Sequence, residues 1–143
     1  MRFIFFLLRP LYYLLYHQFA WTYDFIAAVI SLGHWQEWVK TALPYLNGRV
    51  LEIGFGPGHL QLALNEKKLT AYGLDESRQM TRQASCRLRK QGAISRLSRG
   101  IAQNLPFAEG VFDSVAATFP AEYIFDPRTL KEIRRGLVRA GKL

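Results

Sequence analysis

The stretch that most limits what this chain can fold into is Val50-Leu51-Glu52-Ile53-Gly54-Phe55-Gly56-Pro57-Gly58. A largely apolar run of strand length leads into three alternating glycines, and residues 59–65 follow with helical character. Without a Cβ, Gly54 and Gly56 let the backbone turn sharply and come close to a ligand. A helix begun at His59 points its free N–H groups toward the same place. Strand, tight turn and helix are the first half of a crossover unit, so the rest of the chain has to supply parallel partner strands.

The sequence beyond the turn reads that way. Residues 49–53 form a short strand, 59–65 a helix and 70–74 a second strand closed by Asp75. A helix is predicted over 77–91, with Ser77 as its N-cap and Gly92 ending it. Residues 94–98 are a weak third strand and 111–118 a fourth. Residues 127–139 read as a helix, and Gly141-Lys142-Leu143 as the opening of a fifth strand. The expected fold class is α/β, a Rossmann-like, doubly wound parallel sheet preceded by N-terminal helices. Two parts are expected: residues 1–46, apolar and aromatic helices, and residues 47–143, the ligand-binding domain.

Two ligand classes compete for the glycine turn. A dinucleotide site uses GxGxxG, whose third glycine allows close packing of helix on strand. Here His59 stands at that position, and Pro57, which has no N–H to offer a pyrophosphate, lies inside the turn. The strand also carries a carboxylate, Glu52, two residues before Gly54, which suits a zwitterionic amino-acid ligand better than a pyrophosphate. Asp75 ends the second strand, and a carboxylate there can accept from both hydroxyls of a ribose.

Taken in order, these segments resemble the class I S-adenosylmethionine-dependent methyltransferases. Leu51-Glu52-Ile53-Gly54-Phe55-Gly56-Pro57-Gly58 is similar to their first motif, and Asp75 to the acidic residue at their second strand end. Asn104-Leu105-Pro106-Phe107, Phe112-Asp113-Ser114-Val115 and Leu130-Lys131-Glu132-Ile133-Arg134-Arg135-Gly136-Leu137 resemble later segments of the quinone-biosynthesis-like branch, methyltransferase type 11. The resemblance implies S-adenosyl-L-methionine as cofactor, with contacts at Glu52, Gly54, Gly56, Gly58, Asp75, Glu76, Ala102, Gln103 and Thr118. Many relatives carry an acidic residue before the alanine of the third-strand motif, where it meets the adenine amino group. This chain has Ile101 there, so backbone groups of Ala102 and Gln103 would have to take over. The resemblance also implies a seven-stranded sheet of order 3-2-1-4-5-7-6. Against that pattern the chain reads as C-terminally truncated, with order 3-2-1-4 and later strands missing. A fourth strand without a neighbour would favour association and weak activity.

Residues 1–23 are rich in aromatic and apolar side chains, but Arg9, Pro10, His17 and Gln18 interrupt them. A spanning helix needs roughly 20 consecutive apolar residues. The segment is therefore expected to lie at a membrane interface or to cover the acceptor pocket as a lid. The net charge is +8, and residues 78–108 hold seven Lys/Arg and no Asp or Glu. Such a surface attracts anions, yet helical spacing also explains it as a solvated helix face. Nucleic acid is disfavoured as a partner: where a (D/N)PPY-like tetrapeptide would suit a flipped base, the chain has Phe119-Pro120-Ala121-Glu122. A single cysteine, Cys86, points to a reducing, cytoplasmic setting, and no metal-ligand spacing is present.

Methyl transfer from a sulfonium is an in-line displacement with a good leaving group, so positioning carries much of the acceleration. No residue stands out as a general base. Glu122 and Tyr123, after the fourth strand, and His59, beside the turn, are the candidate catalytic groups; His17 and His34 belong to the N-terminal helices. The expected function is methyl transfer to a small, lipophilic acceptor. The alternatives are a non-catalytic cofactor-binding remnant or partner-binding fragment, a nucleotide-dependent oxidoreductase, and a nucleic-acid methyltransferase.

Overall fold

The computed structural model describes Glu37, residues 40–117 and residues 122–143. Residues 1–36, 38 and 39 of the expected N-terminal helices, His17 and His34 among them, lie outside the described residues, as does Thr118.

Five parallel strands form one sheet in the order β3-β2-β1-β4-β5. They are β1 (Arg49–Ile53), β2 (Thr70–Asp75), β3 (Leu97–Arg99), β4 (Phe112–Ala116) and β5 (Leu137–Lys142). Helices among the described residues include α1 (His59–Glu66), α2 (Arg78–Lys90) and α3 (Pro127–Gly136). Short 3₁₀ turns occupy Leu43–Tyr45 and Glu122–Phe125. β1 is flanked by β2 and β4, so the order reverses at β1, the crevice where such sheets bind ligands.

A parallel sheet buries both faces, and β1 shows why its residues alternate so little in polarity. Val50 faces one apolar cluster with Leu60 and Leu64 of α1 and Ala71 of β2. Leu51 and Ile53 face the other, with Leu74, Leu105, Phe112, Val115 and Ile133 of α3. On that second face the rings of Tyr72, Phe107 and Phe112 meet edge to face, with centroids 5.1–6.2 Å apart. The entry to β1 is fixed to β4: Ser114 Oγ donates to Asn47 O and accepts from Asn47 N, each at 3.1 Å.

The order 3-2-1-4 stands as expected, and several boundaries differ; the fourth strand, read over 111–118, runs from Phe112 to Ala116. The helix read over 127–139 ends at Gly136, and Leu137–Lys142 is strand rather than helix. β5 pairs with β4 from Phe112↔Leu137 to Ser114↔Lys142, with a register shift between them, so β4 is not left without a neighbour. A strand pairing along β4 outweighs the weak helical preference of Val138. β3 starts at Leu97 rather than at Ile94, whose side chain is exposed.

Gly58 shows how tightly the turn is packed. Its φ is +84°, and a Cβ there would lie 2.7 Å from the Cβ of Ala84 on α2. Gly92 also has a positive φ, +64°, but nothing lies within 4 Å of a Cβ there. Gly92→Ala should therefore cost only the left-handed backbone term, about 1–2 kcal/mol. Gly58→Ala should cost at least roughly 1 kcal/mol more because helix and turn must also separate. Urea unfolding of both variants measures the difference; equal losses would contradict the packing.

Candidate cofactor site

The glycine turn, the end of β2 and the segment after β3 meet at the C-terminal edge of the sheet. Asp75 joins the first two. Its carboxylate is buried, with Oδ2 accepting from Gly56 N at 2.9 Å and Oδ1 from Ser77 N at 2.8 Å. A buried carboxylate needs such donors, and both come from backbone groups that a strand–turn–helix junction leaves over. Ser77 caps α2 as expected, its Oγ accepting from Met80 N at 3.2 Å. Glu76, beside Asp75, is exposed.

α2 holds the turn from the other side. Ala84 packs on Gly58, and one turn further along Arg87 donates from Nη1 to the carbonyl of Pro57. Above Gly56 there is open space, since nothing lies within 4 Å of where a Cβ would be. Over Gly54 stands Tyr123, whose hydroxyl donates to Ile53 O at 3.4 Å and would lie 2.6 Å from a Cβ on Gly54. Tyr123 is thus brought to the turn from beyond β4. The side chain of Glu122 lies outside the described residues. His59 opens α1 and is half-buried beside the turn.

Glu52 is almost fully buried, and its Oε2 accepts from Gln61 Nε2 of α1 at 2.9 Å. The same amide nitrogen donates to Tyr72 O at 3.1 Å, which links β1, α1 and β2. Gln61 was not singled out from the sequence; the signal would have been an amide at a buried helical position facing a strand carboxylate.

Ala102 is buried in the second apolar cluster and Gln103 is half-buried. Asp126 is the N-cap of α3. It bonds the side chain and N–H of Arg128, which hold its carboxyl down at about 2. Further along α3, Glu132 Oε2 accepts from Leu105 N at 2.9 Å. Arg135 bonds both oxygens of Glu132, at 2.9 and 2.8 Å, and donates to Phe107 O at 2.8 Å and Leu105 O at 3.0 Å. The Arg135 guanidinium, opposed by burial and aided by the Leu105 N–H, lowers the Glu132 carboxyl from 4.5 to about 2.

This geometry is that of a Rossmann-like nucleotide-cofactor fold, with a carboxylate-tied glycine turn at its switch point. The Methyltransferase domain family matches residues 50–141, and the chain belongs to that family. S-adenosylmethionine is the cofactor this membership implies. The chain is 32% identical over 106 residues to the uncharacterized methyltransferase YcgJ of Bacillus subtilis, covering 73% of this chain and 42% of that protein. It is 32% identical over 136 residues to the demethylmenaquinone methyltransferase of Thermotoga maritima, covering 90% and 58%. The crystal structure of YcgJ superposes with a TM-score of 0.66 at 27% identity, covering 73% of this chain and 47% of that one. The PH0226 protein of Pyrococcus horikoshii shares the fold, with a TM-score of 0.65 at 24% identity over 75% and 55%. The chain spans about half the length of the curated relatives it matches.

A carboxyl lowered from 4.5 to about 2 stabilises the fold fully above pH 4.5 and loses that contribution as the pH falls through 2. Glu132→Gln should therefore cost on the order of 1 kcal/mol at neutral pH. The gap between parent and variant should narrow between pH 4.5 and 2. Urea midpoints across that window check it; a gap that stays constant to pH 2 would show that the charge on Glu132 contributes nothing.

Proposed function

We propose that this chain binds S-adenosylmethionine above the glycine turn and serves methyl transfer to a small, lipophilic acceptor. The observation that carries the proposal is Asp75, buried and bonded to the turn through Gly56 and to α2 through Ser77. A carboxylate so placed beside the turn suits the hydroxyls of a ribose. The residues fit the cofactor: the turn is open above Gly56, and the second carboxylate, Glu52, lies buried beneath the strand end.

When bound, S-adenosylmethionine supplies an electrophilic methyl group on a sulfonium that is already a good leaving group. The chain's own part is binding and orientation. Asp75 accepts from the ribose hydroxyls. Gly54 and Gly56 let the backbone approach the amino-acid end, with Gly58 closing the turn on α2. Backbone groups of Ala102 and Gln103 meet the adenine edge. Glu76 and Thr118 complete the proposed contacts at the ribose and beyond β4. Tyr123, over Gly54, faces the acceptor side, and Glu122 and His59 are the remaining polar candidates there. The names of the Thermotoga maritima enzyme and of the ubiquinone/menaquinone C-methyltransferase of Geotalea uraniireducens, 28% identical over 130 residues, support a quinone-like acceptor class. The oxidoreductase reading is disfavoured by His59 in the third-glycine position and by Pro57, whose carbonyl is engaged by Arg87.

Asp75→Ala should weaken binding of S-adenosylmethionine by roughly 1.5–3 kcal/mol, about 10- to 150-fold, the scale of hydrogen bonds to a charged group. Calorimetric titration of parent and variant reads it. Unchanged affinity would remove Asp75 from the site.

We further propose the two-part organisation of residues 1–46 and 47–143, in a cytoplasmic protein whose residues 1–23 make peripheral membrane contact. Among the described residues no helix is long and apolar enough to cross a membrane. The support is the interrupted aromatic run of residues 1–23, which suits an interface better than a span. Vesicle sedimentation of the chain with and without residues 1–23 should show partitioning only of the longer form. Equal partitioning of both would contradict membrane contact through this segment.

A further inference from the structure

α3 lies on the opposite face of the sheet from α1 and α2, and its charged side chains fall into two groups. Arg128, Lys131 and Arg134 are exposed. Glu132 and Arg135 are turned inward, with 17% and 32% of their side chains exposed. An exposed pair three residues apart would add only a few tenths of a kcal/mol to the helix. This pair instead spends its hydrogen-bonding capacity on another segment. Glu132 receives Leu105 N, and Arg135 grips the carbonyls of Leu105 and Phe107. The C-terminal turn of α3 extends the same grip through backbone bonds, Gly110 N to Arg135 O and Val111 N to Gly136 O, each at 2.9 Å.

The segment so held is the one that follows β3. Its first residue still bonds β2, Gly100 N to Asp75 O at 3.2 Å, and a turn bond, Asn104 N to Ile101 O at 3.2 Å, follows. In place of an acidic side chain that would bond adenine, it offers Ile101, which is half-exposed, and then the backbone of Ala102 and Gln103. Recognition by backbone has a strict requirement. A side chain can swing to meet a base, whereas a peptide N–H or C=O is aimed only by the conformation of the loop that carries it. In adenine N6 donates and N1 accepts; in hypoxanthine O6 accepts and N1–H donates. A fixed backbone edge therefore favours one base, and a loose one discriminates poorly.

We infer that Glu132 and Arg135 are positioning residues for the base end of the cofactor: from α3 they fix the 102–107 backbone so that it selects adenine. This rests on the S-adenosylmethionine reading and deepens it. Neither residue touches the ligand; both act through Leu105 and Phe107. The long-range pair takes over a task that a side chain at position 101 cannot perform here.

The test compares S-adenosylhomocysteine with S-inosylhomocysteine, the same ligand with hypoxanthine in place of adenine, by calorimetry on the full chain. The parent should prefer the adenine ligand by at least about tenfold, the scale of one or two mismatched hydrogen bonds. In Glu132→Gln and in the milder Arg135→Lys, that preference should fall by about fivefold or more, chiefly through weaker binding of the adenine ligand. Amide exchange over residues 101–107, without ligand, should quicken in both. Equal weakening of both ligands, with the preference intact, would overturn the inference and leave the pair a purely structural role. So would a parent with no preference between the two bases. If the parent binds neither ligand, the cofactor reading itself fails, a separate result. Arg135→Lys keeps a charge and a donor, so one variant remains readable if Glu132→Gln does not fold.

Discussion

The carboxylate of Asp75 is the constraint on which the rest of the site depends. Buried at the end of β2, it is held by Gly56 N–H from the turn and Ser77 N–H from the start of α2. Each of these donors belongs to a backbone that would otherwise have to find another partner. One side chain thus fixes three pieces relative to one another: the glycine turn after β1, the end of β2 and the first turn of α2. Everything else around the turn reinforces that junction. Ser77 caps α2, Ala84 leaves room for Gly58 and for no larger residue, and Arg87 takes the Pro57 carbonyl. Pro57 has no N–H, and those of Gly54, Gly56 and Gly58 are already bonded, to Leu74 O, Asp75 Oδ2 and Phe55 O.

The two faces of the sheet divide the work. On one, α1 and α2 shape the turn and hold Glu52 through Gln61. On the other, α3 shapes the segment after β3 through Glu132 and Arg135. Between them the crevice opens where the strand order reverses at β1, and Tyr123 reaches into it over Gly54. The ligand proposed for the crevice would meet mostly backbone and two buried carboxylates, a surface anchored from both helical layers. Such preorganisation is what a displacement with a good leaving group needs from a protein.

How much of this was legible in the sequence follows from the range of each interaction. The turn at Gly54, Gly56 and Gly58, the Asp75 strand end and the Ser77 cap were legible because each is fixed within a few residues by backbone geometry. The end of α3 was not: Leu137 and Val138 continue its periodicity, and only β4, some 25 residues earlier in the chain, draws them into β5. Ile94 looked like the start of a strand because it is β-branched, yet the ladder with β2 begins at Leu97. Gln61 was hidden because an amide on a helix carries no pattern until its strand partner is known. Arg135 stands beside the exposed Lys131 and Arg134, and its partners, Leu105 and Phe107, lie 30 and 28 residues away in sequence. Charge counted along a chain does not reveal which side chains turn inward.

The central claim is that the carboxylate-tied turn is built for a sulfonium cofactor and not for a dinucleotide. Parallel calorimetric titrations of the full chain with S-adenosylmethionine and with NADH test it most directly. The account predicts saturable binding of S-adenosylmethionine at one equivalent, with no measurable heat of binding for NADH. Saturable binding of NADH, with none for S-adenosylmethionine, would contradict it.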